Sequence, residues 1–190
     1  MHIACAALVG LVAGWSAPVV VQQWIDADHR RFNLPGAVVC APLFAIAAMI
    51  PAGDAFAALA YWCVCLTLVD YSCCRLPNAL TGPGTVAVLT AAAWDGLGLA
   101  AFTGGVLLAL LYAMVHVVSR GGVGGGDVKL AIPLGAAAAT SGGSAWWWAA
   151  ACAPMGTAAL GLALRRVRGA VPHGPSMCAA TLVAWAAIGT

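Results

Sequence analysis

The sequence contains no glutamate: its six acidic residues are all aspartate, and its eight basic residues include one lysine. Charged residues make up 7% of the 190 positions, where a soluble domain carries roughly 25%. Too few polar side chains remain to cover a water-facing surface, which excludes an ordinary soluble domain. The formal net charge is only +2, with no basic stripe. A nucleic-acid binder needs clustered Lys and Arg to neutralise phosphates, so that class is excluded too. Apolar residues account for 63% of the chain and mean hydropathy is +0.97. The class that remains is all-α: a polytopic transmembrane helical bundle whose solvent is the lipid bilayer.

The spacing of a zinc site is also missing. Cys40, Cys63, Cys65, Cys152 and Cys178 lie inside apolar runs, with Cys5 near the start of one, and read as small hydrophobes. Cys73 and Cys74 are vicinal, beside Arg75. No two C-x2-C pairs occur, so neither a metal site nor a disulfide framework is expected. The N-terminus lacks the basic region of a secretory signal. Its apolar run over 3–21 is 19 residues, long enough to span a bilayer, and reads as a retained first helix.

Apolar runs and polar punctuation predict about eight spans, near 3–23, 36–52, 55–70, 83–98, 101–119, 128–143, 145–164 and 174–190. The breaks at Asp95-Gly96 and at Gly142-Gly143 are the weakest boundaries. With the N-terminus outside, the inside loops are 24–35, 71–82, 120–127 and 165–173. Arg30, Arg31, Arg75, Arg120, Arg165, Arg166 and Arg168 fall in these loops. Lys129 falls two residues beyond one, within snorkelling reach. Segregation of all eight basic residues to one side is what the positive-inside rule requires. The chain divides on this reading into two N-terminal helices with a short loop (1–53) and a six-helix core (54–190).

Two aspartates stand out by position. Asp70 ends the third span, followed by Arg75-Leu76-Pro77-Asn78-Ala79-Leu80-Thr81. Pro77 forces a turn, and Asn78 reads as the N-cap of the next helix. Asp127 follows Gly121-Gly122-Val123-Gly124-Gly125-Gly126, five glycines in six residues. That backbone is open to close approach by another chain. Both aspartates sit at inside ends of spans, with two spans between them. Two nearby carboxylates share a proton near neutral pH, which is what an aspartyl protease needs.

These segments resemble the two signatures of the type IV prepilin peptidase family, intramembrane aspartyl proteases of the G-x-G-D kind. Asp70, Leu76, Pro77, Asn78, Leu80 and Thr81 match the first signature; Gly124, Gly126, Asp127, Lys129 and Leu130 match the second. Pro172, Gly174 and Pro175 match a weaker P-x-G-P element before the last span. The resemblance covers about 54–190. It implies Asp70 and Asp127 as the catalytic pair, with Pro77, Asn78, Gly124, Gly126, Lys129, Pro172, Gly174 and Pro175 lining the substrate or shaping its loops. It further implies prepilin or pseudopilin substrates, no cofactor, and a multi-pass protein of the bacterial inner membrane whose site faces the cytoplasm. Larger members carry a cytosolic domain, usually with paired Cys, that is associated with N-methylation. Here the corresponding loop, 24–35, is short and has no Cys, so peptidase activity without methyltransferase activity is expected.

Asp26 and Asp28 are rival carboxylates, and Asp28 has Leu34-Pro35 at the offset of Leu76-Pro77 from Asp70. No Asn-x-Leu-Thr follows, so a solvated loop with Asp–Arg pairing is the simpler reading. His116 reads as a hydrogen-bonded interior residue and His173 as structural or pocket-lining. Trp146, Trp147 and Trp148 read as an interfacial aromatic belt. The alternative function is a small proton- or cation-coupled transporter using the span-edge aspartates as relays; no inverted repeat supports it. A scaffold with a dead protease fold would need one aspartate lost, and both are present. The orientation is testable: a reporter fused after Thr190 should report an outside location, and a cytosolic one would overturn the eight-span topology.

Overall fold

The computed structural model describes residues 2–25, 29–119, 123–164 and 171–188. Among them are eight α-helices and no strand: α1 His2–Val20, α2 Asn33–Ala47, α3 Gly53–Cys73, α4 Asn78–Trp94, α5 Gly98–Val118, α6 Gly125–Thr140, α7 Gly143–Leu164 and α8 Gly174–Ile188. The fold is an all-α helical bundle, with one helix for each apolar run. The two weakest boundaries fall at glycines with left-handed backbone: Gly96 (φ 75°) after α4 and Gly142 (φ 107°) after α6. A residue with a Cβ is strained there, which is why each helix stops where it does.

α1, α3 and α5 are long and apolar enough to cross a membrane. α2, α4, α6 and α8 have 15, 17, 16 and 15 residues. At about 1.5 Å per residue they fall short of a hydrocarbon core about 30 Å thick. Large apolar side chains such as Val12, Leu99, Leu110 and Val117 are exposed. In water such a surface would drive aggregation; in lipid it is the solvated state.

The chain forms two compact units that part between Cys73 and Cys74. In the first, α1 pairs with α2, and α3 packs on both. Gly14 of α1 and Gly36 of α2 are in backbone contact: a Cβ on either would run into the other's carbonyl oxygen. Close approach through small residues is how helices gain dispersion contacts in lipid, where the hydrophobic effect gives no drive.

In the second unit α5 pairs with α6 and α7 with α8, while α4, α7 and α8 also pack on α6. α6 therefore has four neighbours. Its Leu130, Ala131, Leu134, Ala136, Ala137 and Ala138 are buried, as expected of a helix apolar all round. The α5–α6 contact is close: a Cβ on Gly135 would lie 2.7 Å from the Gly104 carbonyl oxygen. Trp146 of α7 reaches the same carbonyl, its Nε1–H donating at 2.9 Å. The belt reading of the three tryptophans thus applies to exposed Trp147 and Trp148, while Trp146 is a half-buried packing residue.

Gly135→Leu should lower stability by about 1–3 kcal/mol or more through overpacking, read as a drop in the thermal midpoint of the detergent-solubilised protein. Gly82, with nothing within 4 Å of an added Cβ, should accept alanine with no loss. Equal behaviour of the two variants would refute the close-packed crossing.

Candidate active site

Asp70 lies in the last turn of α3 and Asp127 in the first turn of α6. Both are buried, at 4% and 8% exposure. Asp70 belongs to the first unit and Asp127 to the second. Asp26 and Asp28, their rivals in the sequence, lie outside the described residues, as do Gly121 and Gly122. Among the described residues no buried side-chain nitrogen or oxygen lacks a hydrogen-bond partner, so the burial of these carboxylates is compensated.

Asp127 is held by its own helix. Gly124 is the N-cap, in extended conformation (φ −69°, ψ 148°), and its N–H donates to Asp127 Oδ2 at 3.0 Å. A carboxylate at this position also meets the positive end of the helix dipole. The glycine segment before it is fastened from α5: His116 Nδ1 lies 2.6 Å from the Val123 carbonyl oxygen. His116 is therefore the hydrogen-bonded residue the sequence suggested.

The second half of the first signature packs against the second signature. A Cβ on Gly126 would lie 3.3 Å from Leu76 Cβ and 3.6 Å from Leu76 N, so the glycine lets the two segments touch. Lys129 Nζ donates to Asn78 Oδ1 at 2.9 Å. Pro77, not Asn78, is the N-cap of α4 (φ −70°, ψ 135°). Proline's fixed φ suits the extended residue before a helix. Its carbonyl oxygen accepts from Leu80 N and Thr81 N at 3.0 and 3.1 Å, which leaves the Asn78 amide for Lys129. Leu76, Pro77, Asn78, Gly124, Gly126, Asp127 and Lys129 thus form one cluster on the second unit.

The P-x-G-P element builds the start of α8. Pro172 and Gly174 are buried, and Pro175 is half-buried. The His173 carbonyl oxygen accepts from Ser176 N and Met177 N, at 3.1 and 3.2 Å. Its ring bridges two helices: Nε2 is 3.0 Å from Tyr112 Oη of α5, and Nδ1 is bonded to Thr157 Oγ1 of α7. Thr157 also hydrogen-bonds Ser176 Oγ, at 2.8 Å. Tyr112, Thr157 and Ser176 were not legible as site residues. A tyrosine, a threonine and a serine inside apolar runs carry no motif, and only the fold brings them to His173. Among the described residues no group of three His, Cys, Asp or Glu side chains is placed to hold a metal ion.

The family model described as the type IV leader peptidase family matches residues 57–165, more than half of the chain and both aspartate segments. No curated protein and no solved structure matches the chain.

Burial pushes His173 down to about 4 from its ordinary 6.5. The folded protein therefore refuses a proton that the unfolded chain accepts, and the unfolded state binds more protons between these values. Stability should rise with pH across that window and fall as the medium is acidified from about 6.5 toward 4. Thermal midpoints measured at several pH values in detergent check this. His173→Gln, which cannot titrate, should flatten the dependence; an unchanged slope would contradict it.

Proposed function

Because the chain belongs to the type IV leader peptidase family, we propose that it is an intramembrane aspartyl endopeptidase that removes the leader of prepilins or pseudopilins at the cytoplasmic membrane face. A protease in a membrane bundle is what the family and the apolar helices support together. The observation that carries the finer reading is the cluster on the second unit. There, Gly126 and Lys129 of one signature contact Leu76 and Asn78 of the other, beside the carboxylate at the start of α6. The alternative, a proton- or cation-coupled transporter, is not favoured by that family.

In the proposed reaction Asp70 and Asp127 work as one pair. The ionised member takes a proton from water, whose oxygen attacks the scissile carbonyl carbon. The protonated member donates to the carbonyl oxygen, giving a gem-diol. Collapse of the diol returns a proton to the departing amine and restores the pair. The glycine segment offers an extended substrate a backbone without side chains. A basic leader is attracted to a site bearing carboxylate charge. Residues 54–190 form the peptidase core, 1–53 two accessory helices, and the eight spans place the site at the inner face of a bacterial membrane. The loop 24–35 is too short to fold a cofactor pocket, so the mature product leaves with an unmethylated amine.

Cleavage of a synthetic prepilin-type peptide by the purified chain, read by mass, tests the reading. Asp70→Asn and Asp127→Asn should each lower the rate by roughly 10²-fold or more, and the double variant should be no worse, as for residues acting as a unit. Asp26→Asn and Asp28→Asn should retain most activity. Cleavage surviving in both the Asp70 and Asp127 variants would overturn the proposal.

A further inference from the structure

Asp127 has a polar neighbourhood that the two signatures do not account for. Tyr112, buried in α5, lies within Coulombic reach of the Asp127 carboxylate. The far side of the phenol is occupied: Tyr112 Oη is 3.0 Å from His173 Nε2, and the two rings lie 5.3 Å apart at 42°. The opposite nitrogen of His173 is bonded to Thr157 Oγ1, which is itself tied to Ser176 Oγ at 2.8 Å and to the Ala153 carbonyl oxygen at 3.1 Å. A chain of polar groups thus runs from α8 and α7, through the imidazole, to a phenol on the α5 helix that pairs with α6. Resting on the reading of Asp127 as catalytic, we propose that His173, held by Thr157 and Ser176, is a positioning residue that fixes the direction of the Tyr112 hydroxyl in the field of the Asp127 carboxylate.

Three features support the assignment. First, the imidazole is built in. Pro172 and Pro175 flank it, its carbonyl oxygen caps α8, and Gly156 lets Ser176 come close to α7, an added Cβ meeting Ser176 Cβ at 3.2 Å. Second, the ring is neutral. Burial keeps it from protonating above about 4, so one nitrogen donates and the other accepts. The nitrogen that carries the proton decides whether the Tyr112 O–H is committed to His173 or remains for another acceptor. With Nε2 protonated, the phenol receives that N–H and keeps its own O–H to stabilise a carboxylate. With Nδ1 protonated, the phenol donates to Nε2 and offers only lone pairs, which suits a protonated carboxyl. Third, a neutral ring adds no positive charge to compete for the aspartate. The titratable groups at this junction are Tyr112 from α5, Asp127 from α6 and His173 ahead of α8, while α7 and α8 contribute the hydroxyls of Thr157 and Ser176.

The test uses the purified full-length chain and a synthetic prepilin-type peptide. Tyr112→Phe and His173→Phe should each lower kcat about tenfold, with KM within about twofold because the ground-state contacts of the peptide are untouched. The double variant should be no slower than the slower single one. His173→Gln, whose amide can donate and accept, should recover kcat to within about threefold of wild type. Thermal midpoints of all variants distinguish a lost hydroxyl direction from a lost fold. A wild-type chain that cleaves while both Phe variants keep its kcat overturns the network and leaves the peptidase reading standing. So does a loss confined to KM, or a Gln variant as slow as Phe at an unchanged midpoint. A wild-type chain that cleaves nothing overturns the peptidase reading and the network with it.

Discussion

The second unit depends on α6 being thin. A helix that carries four neighbours must present small side chains on most of its circumference, and the run Gly135-Ala136-Ala137-Ala138 does so. In lipid the contact energy between helices comes from dispersion and hydrogen bonds, both of which fall steeply with separation. Gly135 brings the α5 backbone close enough for Leu108 and Gly104 to touch α6, and Gly104 in turn gives its carbonyl oxygen to Trp146. The helix that binds the unit together is also the one whose first turn carries Asp127. Whatever fixes α6 against α4, α5, α7 and α8 therefore fixes the carboxylate.

That arrangement resolves a conflict. A peptidase of extended substrates needs an accessible backbone beside its carboxylate, yet a carboxylate near hydrocarbon needs a rigid, hydrogen-bonded setting. The chain separates the two demands by a few residues. The glycines supply the open backbone, and the helix that starts at Gly125 supplies the rigidity. Gly124 N–H and the helix terminus hold the Asp127 carboxylate. His116 ties Val123 to the end of α5, so the last residue before Gly124 is anchored. Lys129, one turn into the helix, closes the cluster on the other side through Asn78.

Much of this was legible in the sequence, for reasons that differ by element. The helices were, because runs of apolar residues separated by glycine or charge have few other structures available in lipid. The breaks at Gly96 and Gly142 follow from the one residue type that adopts positive φ without strain. The signatures were legible because aspartate, proline and glycine are conspicuous in so apolar a chain. Three things were not legible. The start of α4 lies five residues earlier than hydropathy alone places it, since Asn78, Thr81 and Gly82 are polar or small yet helical, and Pro77 rather than Asn78 caps it. The central position of α6 is a property of contacts among helices, which a hydropathy pattern does not record. Tyr112, Thr157 and Ser176 are separated in sequence and ordinary in type, and only the packing of α5, α7 and α8 makes them a group.

The scarcity of charge gives these polar groups their meaning. In a chain with one lysine and no glutamate, a hydrogen bond between neutral side chains has few ionic competitors. The low dielectric around it strengthens the bond and raises the cost of leaving either partner unpaired. A histidine in that setting stays neutral, and a neutral histidine transmits direction: one side chain holds one nitrogen, and the other nitrogen must take the complementary role. Thr157 and Ser176 on one side of His173 and Tyr112 on the other therefore form a polar chain with few allowed states. Helix packing fixes which groups meet, and the sparse charge fixes how their protons are shared. The resulting order reaches Asp127 through Tyr112, with no further ion required.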